Sequence, residues 1–227
     1  MSSDNWTRRS LLSGLGAAAG AFALGTPAAG APAPASEFRP TRHPQDAWLD
    51  AVPGKHRTFV DCSTVSGAGE GILYANNLYV ANKSGYSLED SDVAVVVCLR
   101  HFATVFAYTD AIWGKYGKAM SDLVQFTDPK TKQAPSTNLL YSADYGLMMS
   151  NFGNTIPSVV KHGTHFAVCD LATHFISGQV AAAVKSSPDE LYKEFAANLI
   201  PNSHLVATGV VAVNRAQEHG YTLLTAL

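Results

Sequence analysis

Three thiols, a guanidinium and an imidazole are the groups in this chain best suited to covalent or binding chemistry. Cys98, Arg100 and His101 fall within four residues, directly after the β-branched run Val93 to Val97. Cys62 follows the segment His56 to Asp61, and Cys169 closes a second apolar run, Phe166-Ala167-Val168. A thiolate is both a nucleophile and a soft metal ligand, and a neighbouring cation such as Arg100 or His101 favours that form. A thiol with an imidazole is also a donor set for a metal. The chain therefore has the parts for sulfur chemistry or for metal or haem binding. Everything depends on whether folding brings those parts together.

The elements that would position them alternate along the chain. His56 to Asp61, Ser91 to Leu99, Thr164 to Cys169, His204 to Thr208 and Tyr221 to Thr225 read as strands. Helices are expected at Ser66–Ser84, capped by Ser66, and at Thr104–Tyr116, Asn154–His162, Leu171–Val184 and Gly209–His219. A further helix at Pro188–Asn198 has Ser187 as its cap and Pro188 at its first position. This order predicts an α/β fold, a three-layer α/β/α sandwich with a mainly parallel five-stranded sheet. Residues 36–55 read as a mobile leader with one helical turn around Ala47 to Ala51. Residues 118–152 read as an excursion of short helices and turns over the sheet edge, broken at Asp128-Pro129 and Ala134-Pro135.

In open sheets of this kind ligands bind beyond the carboxyl ends of the strands. Cys62, His101 and Cys169 each end or follow a different strand, and neighbouring strands lie about 4.8 Å apart. If the first strand lies between the second and third, Cys62 and Cys169 come within reach of each other, with Arg100 and His101 overhanging the same crevice. Arg100 has Asp61 and Asp110 as alternative partners. Cys98, late in an apolar strand, reads as core. His165 lies four strand residues, about 13 Å, from Cys169, too far to share a metal with it. Phe102, Phe106, Tyr108, Trp113 and Tyr116 read either as core or as the wall of a flat cofactor pocket. Met148 and Met149 are candidate haem or copper ligands opposite His101.

Several chemistries lack their motifs. Gly67, Gly69 and Gly71 are spaced G-x-G-x-G, which fails the dinucleotide fingerprint. C-x-x-C, H-E-x-x-H, C-x-x-C-H and G-x-S-x-G do not occur.

The first 35 residues read as a secretory signal. They carry the pair Arg8-Arg9, an apolar stretch from Leu15 to Leu24, and an Ala/Pro/Gly run ending in Ala35, after which cleavage is expected. Paired arginines mark the twin-arginine route, and the expected location is periplasmic or secreted. Removing Asp4, Arg8 and Arg9 takes the formal charge from −2 to −3. No basic block remains, so no nucleic-acid partner is expected. The apolar run is shorter than the roughly 20 residues a membrane span needs, so no stable membrane insertion is expected either.

The last third combines a strand ending in Cys169, a helix, a strand running into Thr208-Gly209-Val210-Val211, a closing helix with Gln217, and the ending Gly220-Tyr221-Thr222-Leu223-Leu224. This pattern resembles the C-terminal half of the DsrE/DsrF-like (YchN-like) family, and the likeness covers about Arg57 to Leu224 apart from the excursion. It implies a small α/β sandwich that assembles into homo-oligomers. Some members carry sulfur as a persulfide on a cysteine near the end of the third strand, the position of Cys169. The signal, the excursion and the Cys-Leu-Arg-His turn set this chain apart, as an exported subgroup. The expected function is binding or carriage of a small molecule, a sulfur species or a metal, with Cys169, His101 and Arg100 as reactive residues and Cys62, His101 and Thr208 as binding residues. The alternatives are a haem- or metal-dependent enzyme with His101 as ligand, and a structural oligomer with no site.

Overall fold

The structure is a computed structural model and describes residues 39–227. The signal segment and its cleavage point lie outside the described residues. Five strands form one sheet: β1 (His56–Cys62), β2 (Val93–Leu99), β3 (His165–Cys169), β4 (Ser203–Val206) and β5 (Thr222–Ala226). Their order is β4-β3-β2-β1-β5, and every neighbouring pair is parallel. β2 is buried along its whole length, which is what its run of valines requires.

This order dictates where the helices go. From β1 to β2, β3 and β4 the chain steps across the sheet in one direction, and right-handed crossovers then put every connection on the same face. That face carries α2 (Val65–Tyr86), α3 (Asp110–Val124), α4 (Ile156–His162), α5 (Asp170–Val184) and α6 (Pro188–Ala197). The return from β4 to β5 runs the opposite way, so α7 (Gly209–Glu218) crosses the other face, joined there by α1 (Ala47–Ala51). Two cores follow from the strand alternation. Val60, Cys62, Val95, Val97, Phe166 and Val168 face the large helical layer, while Phe59, Val96, Cys98 and Ala167 face α1 and α7. The three-layer α/β/α sandwich is as expected, with unequal outer layers.

Thr64, not Ser66, caps α2, its hydroxyl accepting from the Gly67 N–H at 2.8 Å. The expected helix over Thr104–Tyr116 divides into a 3-10 turn, His101–Ala107, and α3, because the chain is extended at Tyr108 and Thr109. Within the segment read as a mobile leader, the described helical turn is docked: Leu49 and Val52 are buried, and the Arg57 guanidinium donates to the Leu49, Asp50 and Val52 carbonyls. The 118–152 stretch begins as the end of α3 and then packs on the large helical layer. There the side-chain amide of buried Asn138 donates to the Phe106 and Tyr108 carbonyls, and Ser150 Oγ donates to the Ser66 carbonyl.

The glycines that mimic a nucleotide loop serve close packing. A Cβ at Gly71 would collide with Cys62 Sγ, and one at Gly67 with the Ala226 carbonyl, so α2 lies directly on β1 and β5.

Candidate functional site

A ligand crevice forms where adjacent strands send their connections to opposite faces. In this sheet that happens between β3, which continues into α5 on one face, and β4, which continues into α7 on the other. A crevice of about 710 Å³ opens there. Its lining draws on three strand ends: Arg100 and His101 after β2, Cys169 with Leu171, Ala172, His174 and Phe175 after β3, and Thr208 with Val210 after β4.

Cys169 is the last residue of β3 and the cap of α5. Its Sγ accepts from the Ala172 N–H at 3.4 Å and lies 3.9 Å from Thr208 Oγ1, to which the thiol can donate. The sulfur thus sits at the end of a helix that carries partial positive charge. Thr208 precedes α7 but makes no side-chain cap to it, which leaves its hydroxyl turned to the sulfur.

Arg100 is bound edge-on to Asp61. Nε donates to Oδ1 at 2.6 Å and Nη2 to Oδ2 at 2.9 Å, and this carboxylate raises the arginine pKa further. Of the two sequence candidates for its partner, the register selects Asp61, which stands opposite Cys98 on the neighbouring strand. The arginine stem lies on Gly209, where an added Cβ would fall 2.5 Å from Arg100 Cβ. His101 adopts φ 52°, a left-handed conformation uncommon outside glycine, and its exposed ring stacks on Phe102 at 4.3 Å.

Cys62 does not belong to this site. β2, not β1, lies next to β3, so β1 and β3 stand two strand spacings apart, about 10 Å. The Cys62 side chain also points to the α2 face, where it is fully buried beside Gly71. Burial pushes its thiol pKa up, and that of Cys98 well up, so both stay protonated. No disulfide joins the three cysteines.

The aromatic wall is core. Phe106, Tyr108 and Trp113 are fully buried, and the Tyr108 ring meets Phe195 edge-on at 4.7 Å. Met148 and Met149 are not among the crevice residues, so neither stands opposite His101 there. Among the described residues no group of three or more His, Cys, Asp or Glu side chains is arranged to share a metal, and no helix is long and apolar enough to cross a membrane.

Asp61, one of the two carboxylates expected for Arg100, is its partner, and sequence reasoning missed one pairing. His165, set aside as remote from Cys169, pairs across strands with His204: Nδ1 lies 2.9 Å from Nε2, and Trp48 stacks on His204 at 4.0 Å. No spacing in the sequence announces a pair 39 residues apart.

No protein-family model matches the chain, and no curated protein matches it.

Proposed function

We propose that this protein is an exported carrier of a small sulfur species, held covalently on Cys169 in the crevice between β3 and β4. The observation that carries this reading is the position of one thiol alone at a strand end and helix cap, open to a cavity, while the other two are sealed. The resemblance to the DsrE/DsrF-like family, in which that strand-end cysteine bears a persulfide, supports it.

The step is a transfer of sulfane sulfur. The Cys169 thiolate attacks the outer sulfur of a donor R–S–SH. A new S–S bond forms at Cys169, and the donor's S–S bond breaks with its electron pair leaving on R–S⁻. The products are Cys169–S–SH and R–S⁻, with charge conserved and no external oxidant required. The Ala172 N–H donates to the sulfur, Thr208 Oγ1 faces it, and His101 and Arg100 border the space the donor enters.

Intact-mass measurement after exposure to a persulfide donor tests this. Native protein should gain one sulfur atom, and Cys169→Ser should gain none. Equal uptake by that variant, or uptake traced to Cys62 or Cys98 in folded protein, would overturn the assignment. Export rests on the Arg8-Arg9 signal. Cell fractionation of the chain with both arginines changed to lysine should find it retained in the cytoplasm, and unchanged export would remove that part of the reading.

A further inference from the structure

The crevice holds an arginine that commits two of its N–H donors to a carboxylate and keeps the others. The Nε–Nη2 edge of Arg100 is taken by Asp61, and the aliphatic stem is covered by Gly209. A quarter of the side chain is nevertheless exposed, Arg100 lines the crevice, and Nη1 has no partner among the described residues. The edge left to a ligand is the second one, on Nη1, and the guanidinium is held by a carboxylate that is itself 7% exposed. A fixed guanidinium edge offers only donors, in the geometry that suits a carboxylate or another oxyanion.

The surroundings supply the rest of an anion site. The cap residues of α5 and α7, Cys169 and Thr208, face each other, so both helices begin at this crevice. Thr208 does not cap α7, and Val210 of its first turn lines the crevice. Of the neighbouring carboxylates, Asp61 is bound to Arg100, and Asp170 accepts from the Tyr192 hydroxyl at 2.8 Å and lies 3.9 Å from His174. Leu171, Phe175 and Val210 give the crevice an exposed apolar side.

We propose that the molecule reacting at Cys169 is a small anion, bound through its acidic group by the free edge of Arg100, with Asp61 as the positioning residue for that arginine. This rests on Cys169 being the reactive thiol. It adds that the donor carries a negative charge beside its reactive sulfur or carbon, and that an uncharged analogue is disfavoured.

The test compares two alkylating reagents of the same size, iodoacetate and iodoacetamide. In each, the Cys169 thiolate forms a C–S bond as the C–I bond breaks and iodide leaves. The rate at Cys169 is followed by peptide mass spectrometry in folded protein and in the same chain unfolded in urea. The ratio of iodoacetate to iodoacetamide rates should be at least about tenfold higher in the folded protein, the worth of one charge-assisted hydrogen bond. Arg100→Gln should bring the ratio to the unfolded value, Arg100→Lys should restore part of it, and Asp61→Asn should lower it. A folded ratio equal to the unfolded one, or one unchanged in Arg100→Gln, overturns the anion site while leaving sulfur carriage by Cys169 in place. Failure of Cys169 to react with either reagent in folded protein would sink both.

Discussion

Arg100 shows how one side chain is fixed by neighbours that are distant in sequence. Asp61 binds one edge of its guanidinium, and Gly209 gives its stem room to lie against the first turn of α7. Gly209 is buried, and an added methyl group would meet Arg100 Cβ at 2.5 Å and Cδ at 2.8 Å. Gly209→Ala is therefore expected to cost about 1–3 kcal/mol by overpacking and to shift the guanidinium away from Asp61. Urea unfolding measures the first effect, and loss of the Arg100–Asp61 contact in a crystal structure of the variant measures the second. A variant of unchanged stability and geometry would show that the arginine stem packs elsewhere. The thiols make the same point about environment. All three are cysteines, yet Cys62 and Cys98 are sealed by neighbouring strands and helices, and only Cys169 borders a cavity.

Among the elements, the turn from His101 to Ala107 departs most from the sequence pattern, and the 118–152 stretch explains how it is held. A 3-10 turn satisfies its backbone poorly, and here Asn138 fills the gap: its amide donates to the Phe106 and Tyr108 carbonyls while Oδ1 accepts from the Leu140 N–H. Asn138 is 1% exposed, so Asn138→Ala leaves two carbonyls and one N–H buried without partners. A loss of about 1–3 kcal/mol is expected, with faster amide exchange at Leu140 as the local signature. Equal exchange in the variant would mean that the turn does not depend on this residue. Periodicity alone read Thr104–Tyr116 as one helix because the aromatic spacing fits. The break at Tyr108 comes from its pairing with Leu199 and its hydroxyl's bond to Thr173, both far away in the chain.

For the molecule as a whole, α1 and α7 are the helices that cover the second face of the sheet among the described residues, and histidines help to fasten α1 there. Trp48 stacks on His204, which is paired with His165, and His219 Nδ1 lies 2.9 Å from the Asp50 carboxylate. Burial holds both His165 and His204 below the ordinary histidine pKa, and His165 lowers His204 further. The sign follows from proton binding. Below about pH 6.5 the unfolded histidines protonate while the folded ones resist, so the unfolded chain binds more protons and stability falls as pH drops. Above that range the pair contributes no slope. Asp50, whose carboxyl is held low chiefly by its hydrogen bond with His219, loses its contribution only in the more acid carboxylate range. The urea midpoint should therefore drop between about pH 7.5 and about pH 5.5, and His204→Gln should flatten the slope. A midpoint equal at both pH values would contradict this account.

What the sequence determined was whatever depends on short-range order. Alternating β-branched runs and amphipathic stretches marked all five strands and the sandwich. Ser187 and Gly163 marked helix ends, and Cys169, Thr208, His101 and Arg100 were already visible as strand-end residues. The order of the strands was not written there, because hydrogen bonding between parallel neighbours is much the same whichever apolar strands are paired. That order decided the site. Placing β2 between β1 and β3 removed Cys62, and sending α7 to the opposite face from α5 opened the crevice between β3 and β4 around Cys169. Long-range packing, the sum of many contacts between segments far apart in the chain, made those choices, and no local pattern encodes them.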